Sequence, residues 1–367
     1  MVDLLLYIIS ALVLAMLWAP FLAHLLIKLN IVRNLNKDFS ALVGERYLKA
    51  GTPIMGGLLI VITVLIITML FNLNGHTKIP LVVMLLSAGL GGLDDLLNIY
   101  GKKRIIRTTA KHITLARIHK NIFKRIWMWL TLPWNIYQNI WFAIGSYPGT
   151  GIHAGEKIII QVLTGGAVAW WLWWEQGWSS IWIPVLNTHF ELGWLMPIFI
   201  IFTVVSMANA VNISDGMDGL SSGTSLIAFT AFLIIAQGTN SEVGLNISHF
   251  IATIVGALIA YLYFNIKPAR FEMGDVGSLT VGALLATVAF TLDRVALLPI
   301  IGFVFVAEIG SSLLQAVYRR IVGMRLFKMA PVHLHFQILG WSEEKTVMRF
   351  WVVGIMFALL GLLLNYL

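Results

Sequence analysis

No cysteine occurs in the 367 residues, and acidic side chains number only 17. The first absence excludes disulfides, thiolate nucleophiles and thiolate metal sites, so a bound metal would be held by oxygen or imidazole. Charge of both signs is scarce, at 11% of residues, against about 25% in a soluble domain. Hydrophobic residues make up 59% and mean hydropathy is +0.86, which excludes an ordinary water-soluble fold. The chain has no repeat of fixed period and no flexible linker, so residues 1–367 are read as one integral-membrane domain.

The apolar excess is gathered into runs close to the roughly 20 residues that a spanning helix needs. Candidate spans are 3–25, 54–72, 80–97, 157–174, 193–209, 219–237, 247–265, 278–292, 295–318 and 347–366. The fold class expected is therefore an all-α polytopic membrane protein of about ten transmembrane helices. Gly89, Gly91 and Gly92 weaken the third run, and the eighth is short. The first run lacks a basic leader and a small-residue cleavage site, so it is expected to be a span and not a cleaved signal. Loops 26–53, 98–156, 266–277 and 319–346, counted to their immediate helix ends, hold 23 of the 25 Lys and Arg residues; the opposite side has only Lys78 and Arg294. Basic loops stay in the cytoplasm, so both termini are expected outside. The net charge of +8 thus reflects topology, with some attraction for anionic lipid or substrate, and not nucleic-acid binding. Trp170, Trp171, Trp173, Trp174 and Trp178 sit at the outer end of the fourth run, as an interfacial aromatic belt does.

Residues 102–150 form a basic, Trp-rich insertion, too polar to span and too aromatic for a solvated tail. Arg104, Arg107, Lys111, Arg117, Lys120, Lys124 and Arg125 interleave with Ile105, Ile106, Ile113, Leu115, Ile118, Ile122, Phe123 and Ile126, several of them three or four apart, and Trp127, Trp129, Trp134 and Trp141 follow. A basic amphipathic helix with Trp reads as lying on an anionic leaflet, with partner docking or a substrate lid as alternatives.

The acids fall where apolar runs meet loops on the basic side. A carboxylate carried to the bilayer centre costs about 2.5–3.5 kcal/mol, so such residues are usually functional. Asp94 and Asp95 end the third run, where the helix dipole disfavours acids, and they diverge by about 100° on a helix. They can therefore do different jobs. Asn209, Asn212, Asp215 and Asp218 recur every three residues, a step that cannot hold one helical face. With Gly216 and Gly219 this predicts a helix ending near Asn212, a tight polar loop, and a new helix from about Gly219; Asp218 could simply cap that helix. Asp275 lies between Gly274 and Gly277 at a helix start, a pattern suited to a phosphate and to Mg²⁺, which takes one or two carboxylates plus phosphate oxygens and water. His333 and His335 could contact pyrophosphate or sugar, be structural, or bind metal. Together these point to an enzyme acting at the membrane surface on a metal-bound phosphate, not to a pore.

The motifs GTPIMGG (Gly51–Gly57), Asp94-Asp95, NAVNISDGMDGL (Asn209–Leu220), MGDVGSL (Met273–Leu279) and LFKMAPVHLHF (Leu326–Phe336), then Gly340-Trp341 and Arg349-Phe350-Trp351, resemble the phospho-N-acetylmuramoyl-pentapeptide transferase (MraY) family. They run in family order from about residue 44 to 366, the insertion excepted. The resemblance implies a bacterial inner-membrane enzyme, usually dimeric, with a cytoplasmic active site. It implies Mg²⁺-dependent transfer of phospho-MurNAc-pentapeptide from UDP-MurNAc-pentapeptide to undecaprenyl phosphate, giving lipid I and UMP. By position, Asp275 would be the Mg²⁺ ligand and Asp94 and Asp95 catalytic carboxylates. Asn209, Asn212, Asp215, Asp218 and Asn265 would contact substrate, and Lys49, Lys157, Gln315, His333 and His335 would fill other substrate-binding positions.

Three residues depart from the family pattern. Asn98 stands where DDxxK has lysine, a role Lys102 or Lys103 could take; Leu334 interrupts a three-histidine run; and Glu272 replaces an aromatic residue. The nearest rival is a polyprenyl-phosphate N-acetylglucosamine-1-phosphate transferase, and a remote one a secondary transporter, whose acids would sit nearer the bilayer midplane.

Overall fold

The structure, a computed structural model, describes residues 2–33, 49–101, 106–143, 151–239 and 241–367. Lys102, Lys103, Arg104 and Ile105 of the insertion, and its end at 144–150, lie outside the described residues.

All ten apolar runs form helices: α1 (Val2–Lys28), α2 (Leu58–Phe71), α3 (Lys78–Tyr100), α7 (Ala154–Ala169, extended by a π-helical turn Trp170–Glu175), α8 (Met196–Ser214), α9 (Leu220–Gly238), α10 (Glu242–Asn265), α11 (Gly274–Thr291), the pair α12 (Leu298–Ile301) and α13 (Phe303–Val322), and α15 (Glu343–Tyr366). The insertion folds as three short helices, α4 (Thr109–Ile118), α5 (Ile122–Leu130) and α6 (Leu132–Ala143), and α14 (Val332–Ile338) precedes α15. The chain is thus an all-α polytopic membrane protein, with one small addition: strands β1 (Ser180–Ile183) and β2 (Thr188–Glu191) pair antiparallel, Ser180 opposite Glu191.

Among the described residues, seven helices are long and apolar enough to cross a bilayer, or eight when the bent segment Val295–Ile301 and Phe303–Val322 is taken as one, its parts meeting at 78°. Two of the ten expected spans fall short for visible reasons. Helix α2 has only 14 residues because the chain before it turns and is tied to the segment leading into α11: the Gly56 N–H donates to Glu272 O at 2.8 Å and the Gly57 N–H to Met273 O at 2.9 Å. Helix α7 has 16 α-helical residues because its C-terminal end widens into the π-turn.

Helix α11 is the axis of the bundle. Every residue from Val276 to Thr291 is buried, as an all-round apolar helix requires, and α3, α8 and α9 pack around it. Helix α1 instead has a one-sided pattern: Ala11, Ala15 and Ala19 face inward against α10, while Leu6, Ile9, Val13, Leu17 and Phe21 are exposed. Small residues inward and large ones outward are what close helix packing in lipid demands.

The glycines of α3 do not break it. Gly91 faces the start of α11 so closely that a Cβ there would lie 2.2 Å from the Asp275 carbonyl oxygen. That approach brings the acidic end of α3 against the head of α11. Gly91→Ala should therefore lower stability by about 1–3 kcal/mol through overpacking. It should also reduce activity, although residue 91 carries no reacting group. Thermal unfolding in detergent beside a turnover assay checks this, and an unchanged melting temperature would contradict the packing.

Candidate active site

Three helix ends converge on one partly buried ion cluster. The end of α3 supplies Asp94 and Asp95, the start of α11 supplies Asp275, and the first turn of α7 supplies Lys157. Lys157 Nζ lies 2.6 Å from Asp94 Oδ2 and 2.6 Å from Asp275 Oδ2. Helix α8 closes the cluster: Asn212 Nδ2 donates to Asp275 Oδ1 at 2.8 Å and to Ser278 Oγ at 3.1 Å. Asp94 is almost fully buried and also accepts from the Ile152 backbone N–H at 2.5 Å and from Asn98 Nδ2 at 2.9 Å.

Adjacent Asp94 and Asp95 have different tasks, as their divergence on the helix suggests. Asp95 turns to the head of α11, where its Oδ1 accepts from the Asp275 N–H at 3.1 Å and its Oδ2 from the Val276 N–H at 3.0 Å. Gly274 makes this possible: its φ of +70° bends the chain into the helix, and a Cβ would come 2.6 Å from Asp95 Oδ2. The dipole penalty of an acid at the end of α3 is thereby offset, because Asp95 sits at the positive end of a second helix.

A neighbouring cluster gathers Lys49, Asp218 and Asn265. Lys49 Nζ bonds Asp218 Oδ1 at 2.6 Å and Glu343 Oε1 at 2.8 Å, and Glu343 Oε1 also accepts from the Asp218 N–H at 2.9 Å. Burial alone would lower the Lys49 ammonium, but Glu343 and Asp218 hold it above its ordinary value. Asp218 does not cap α9; Gly219, at φ +79°, takes that position, and Asp218 Oδ2 accepts from the Ala269 N–H at 3.1 Å instead. Asn265 Oδ1 accepts from the Gly219 N–H at 3.0 Å and from Ser222 Oγ at 2.8 Å, which fixes the start of α9. A cleft beside this cluster is lined by Lys49, Thr52, Asp218, Lys267, Glu272 and Glu343, with Pro268 and Ala269. Burial, then the nearby Glu272 carboxylate, pushes Asp215 well above the usual carboxylate range.

The remaining expected site residues stand further apart in role. Asn209 pairs with Gln161, its Nδ2 donating to Gln161 Oε1 at 2.8 Å. Gln315 organises the loop before α14, accepting from the Leu326 and Phe327 N–H groups at 3.0 and 2.9 Å. His333 is fully buried and meets Glu308 Oε2 at 2.8 Å, while His335 Nδ1 accepts from the Lys328 N–H at 3.2 Å. Among the described residues no group of three or more His, Asp or Glu side chains is placed to hold a metal by protein ligands alone.

Each unusual residue has a local partner. Asn98 bonds Asp94, as above. Leu334 is buried in an apolar cluster with Met217, Leu220 and Val347. Glu272 pairs with Arg33, whose Nη1 lies 2.7 Å from each carboxylate oxygen. Burial pushes the Glu272 carboxyl up and Arg33 offsets part of this. Sequence reasoning passed over Glu343 and Glu308. Glu343 looks like an ordinary first-turn acid behind the capping Ser342, and its signal was a second acid, Glu344, available for the dipole. Glu308 is a lone acid inside an apolar run, a signal in itself.

A family model described as Glycosyl transferase family 4 matches residues 140–293. The chain is 34% identical over 319 residues to a phospho-N-acetylmuramoyl-pentapeptide-transferase of Bacillus mycoides, covering 86% of this chain and 84% of the relative. It is 31% identical over 367 residues to one of Oceanobacillus iheyensis, covering 98% and 97%. It is 35% identical over 319 residues to one of Bacillus thuringiensis, covering 86% and 84%.

Asp95→Asn should lower stability by roughly 1–3 kcal/mol, since two backbone N–H groups lose a charged acceptor. Thermal unfolding of the purified variant measures this, and wild-type stability would rule out the capping role.

Proposed function

The chain belongs to the phospho-N-acetylmuramoyl-pentapeptide-transferase family, and from that premise we propose that it transfers phospho-MurNAc-pentapeptide from UDP-MurNAc-pentapeptide to undecaprenyl phosphate, forming lipid I and UMP in peptidoglycan synthesis. The observation that carries the site assignment is the Asp94–Lys157–Asp275 cluster, with Lys157 Nζ 2.6 Å from both carboxylates.

The chain acts as a multi-pass enzyme of the bacterial plasma membrane. The basic loops support both termini outside and the acidic helix ends in the cytoplasm. Ten crossings would count α2, α7 and the bent α12–α13 pair as spans.

The donor set fits Mg²⁺. Asp275 and Asp94 offer hard oxygen ligands that already converge on one positive charge, and Mg²⁺ takes one or two carboxylates with water and phosphate oxygens. Asp275 would hold the ion, with Asp94 beside it. When bound, Mg²⁺ would neutralise charge on the donor pyrophosphate.

The residues divide the remaining work. The acceptor's phosphate monoester is already an anionic nucleophile, so direct attack on the sugar-bearing phosphorus, with departure of UMP, needs no covalent enzyme intermediate. Lys157 offsets charge at the pyrophosphate, and Asn212 orients Asp275. Asp95, with both oxygens on backbone N–H groups, is a positioning residue in this reading, a narrower role than the chemical one its motif suggests. Lys49, Asp215, Asp218 and Asn265 shape the cleft expected to take the UDP end. Asn209, Gln315, His333 and His335 are proposed as further substrate-binding positions, each fixed by the contact given above. A homodimer, the family habit, is part of the proposal.

The purified protein, given undecaprenyl phosphate and Mg²⁺, should release UMP from UDP-MurNAc-pentapeptide and not from UDP-N-acetylglucosamine. The reverse preference would move it to the rival transferase branch. Asp275→Asn should abolish turnover in a folded protein, and Asp94→Asn should slow it at least about 10²-fold, the scale of a positioned acid–base group. Wild-type rates in both would remove the cluster from the reaction.

A further inference from the structure

Helices α4, α5 and α6 place an apolar surface that none of the described residues covers. On α5, Ile122, Phe123, Ile126, Trp127 and Leu130 share one helical face and are 57%, 80%, 52%, 67% and 69% exposed. No residue of this helix is buried. Lys124 and Arg125 flank that face, and residues 106–143 contain six basic and no acidic side chains. Isolated exposed apolar residues need no explanation, but five large ones on a nine-residue helix mark a contact surface.

The face is held in place rather than loosely tethered. His112 Nε2 meets Met128 O at 2.9 Å, and Asn135 Nδ2 donates to Arg107 O at 2.9 Å, so the three helices form one unit. Helix α6 grips the first turn of α7: Tyr137 OH donates to Gly155 O at 2.9 Å and Gln138 Nε2 to Glu156 Oε1 at 3.2 Å. The unit is joined in sequence to α3 and α7 at the same end of the bundle, so it stays within reach of the bilayer surface.

We propose that α4–α6 is a lipid-docking module that lays the apolar face of α5 into the boundary of an anionic leaflet, with Arg117, Lys120, Lys124 and Arg125 on phospholipid headgroups. The charge decides the occupant. A partner protein would need a matching acidic rim, whereas an anionic leaflet supplies both the apolar layer and the negative surface. The inference does not depend on the transferase reading.

The absence of native cysteine makes the test direct. An environment-sensitive fluorophore is placed on Phe123→Cys or Trp127→Cys, and on Thr114→Cys as an exposed control on α4. The full chain is reconstituted in nanodiscs of phosphatidylcholine, with or without phosphatidylglycerol, and quenched by spin-labelled lipid. Positions 123 and 127 should be quenched at least about threefold more than position 114 in the anionic discs, as expected of a face sunk in the interface. Lys120→Gln, Lys124→Gln and Arg125→Gln together should reduce that quenching. Equal quenching at all three positions would overturn the proposal. So would probes at 123 and 127 that lipid does not quench but that self-quench when two chains share a disc, because the face would then be a protein interface.

Discussion

Lys157 holds two carboxylates from two different helices, and the architecture around it is arranged so that this can happen. An ammonium 2.6 Å from Asp94 and from Asp275 balances charges that would otherwise be stranded beside an apolar bundle. Removing one partner of such a group typically costs about 3–5 kcal/mol, because the other charge stays buried. The apolar helix α11 fixes where Asp275 must be, Gly91 lets α3 approach it, and Asp95 joins the two helix ends through backbone N–H groups. A stabilising cap and a reactive cluster are thus built from adjacent residues.

Much of this was legible in the sequence, for identifiable reasons. Apolar runs of spanning length can hardly be anything but helices, and all ten are helical. The drift of the three-residue repeat in 209–218 placed a helix end near Asn212; the helix runs on to Ser214, and α9 starts at Leu220. The glycines in α3 read as weak points, because sequence shows the loss of propensity but not the neighbour that needs the space. The π-turn, the β1–β2 hairpin and the 78° bend depend on tertiary packing and left no periodic signal. The insertion's amphipathic character was readable, its division into three helices less so. In the site, the acids stood out by cost, whereas Glu343 was hidden by an ordinary position at a helix start.

The three departures from the family pattern sit in settings that use them. Asn98 bonds the Asp94 carboxylate, Leu334 fills an apolar pocket, and Glu272 has Arg33 as its counter-charge. These are coherent local solutions. Glu272 sits at the cleft beside Lys49 and Asp218, so its effect would fall on donor recognition more than on the reacting cluster.

The most direct measurement is a double-mutant cycle on UMP release with Asp94→Asn, Lys157→Gln and the pair combined. Groups that act as one unit are strongly non-additive. The double variant should therefore be within about threefold of the slower single variant. A double variant whose loss equals the product of the two single losses would show that Asp94 and Lys157 act independently, and would contradict the shared cluster.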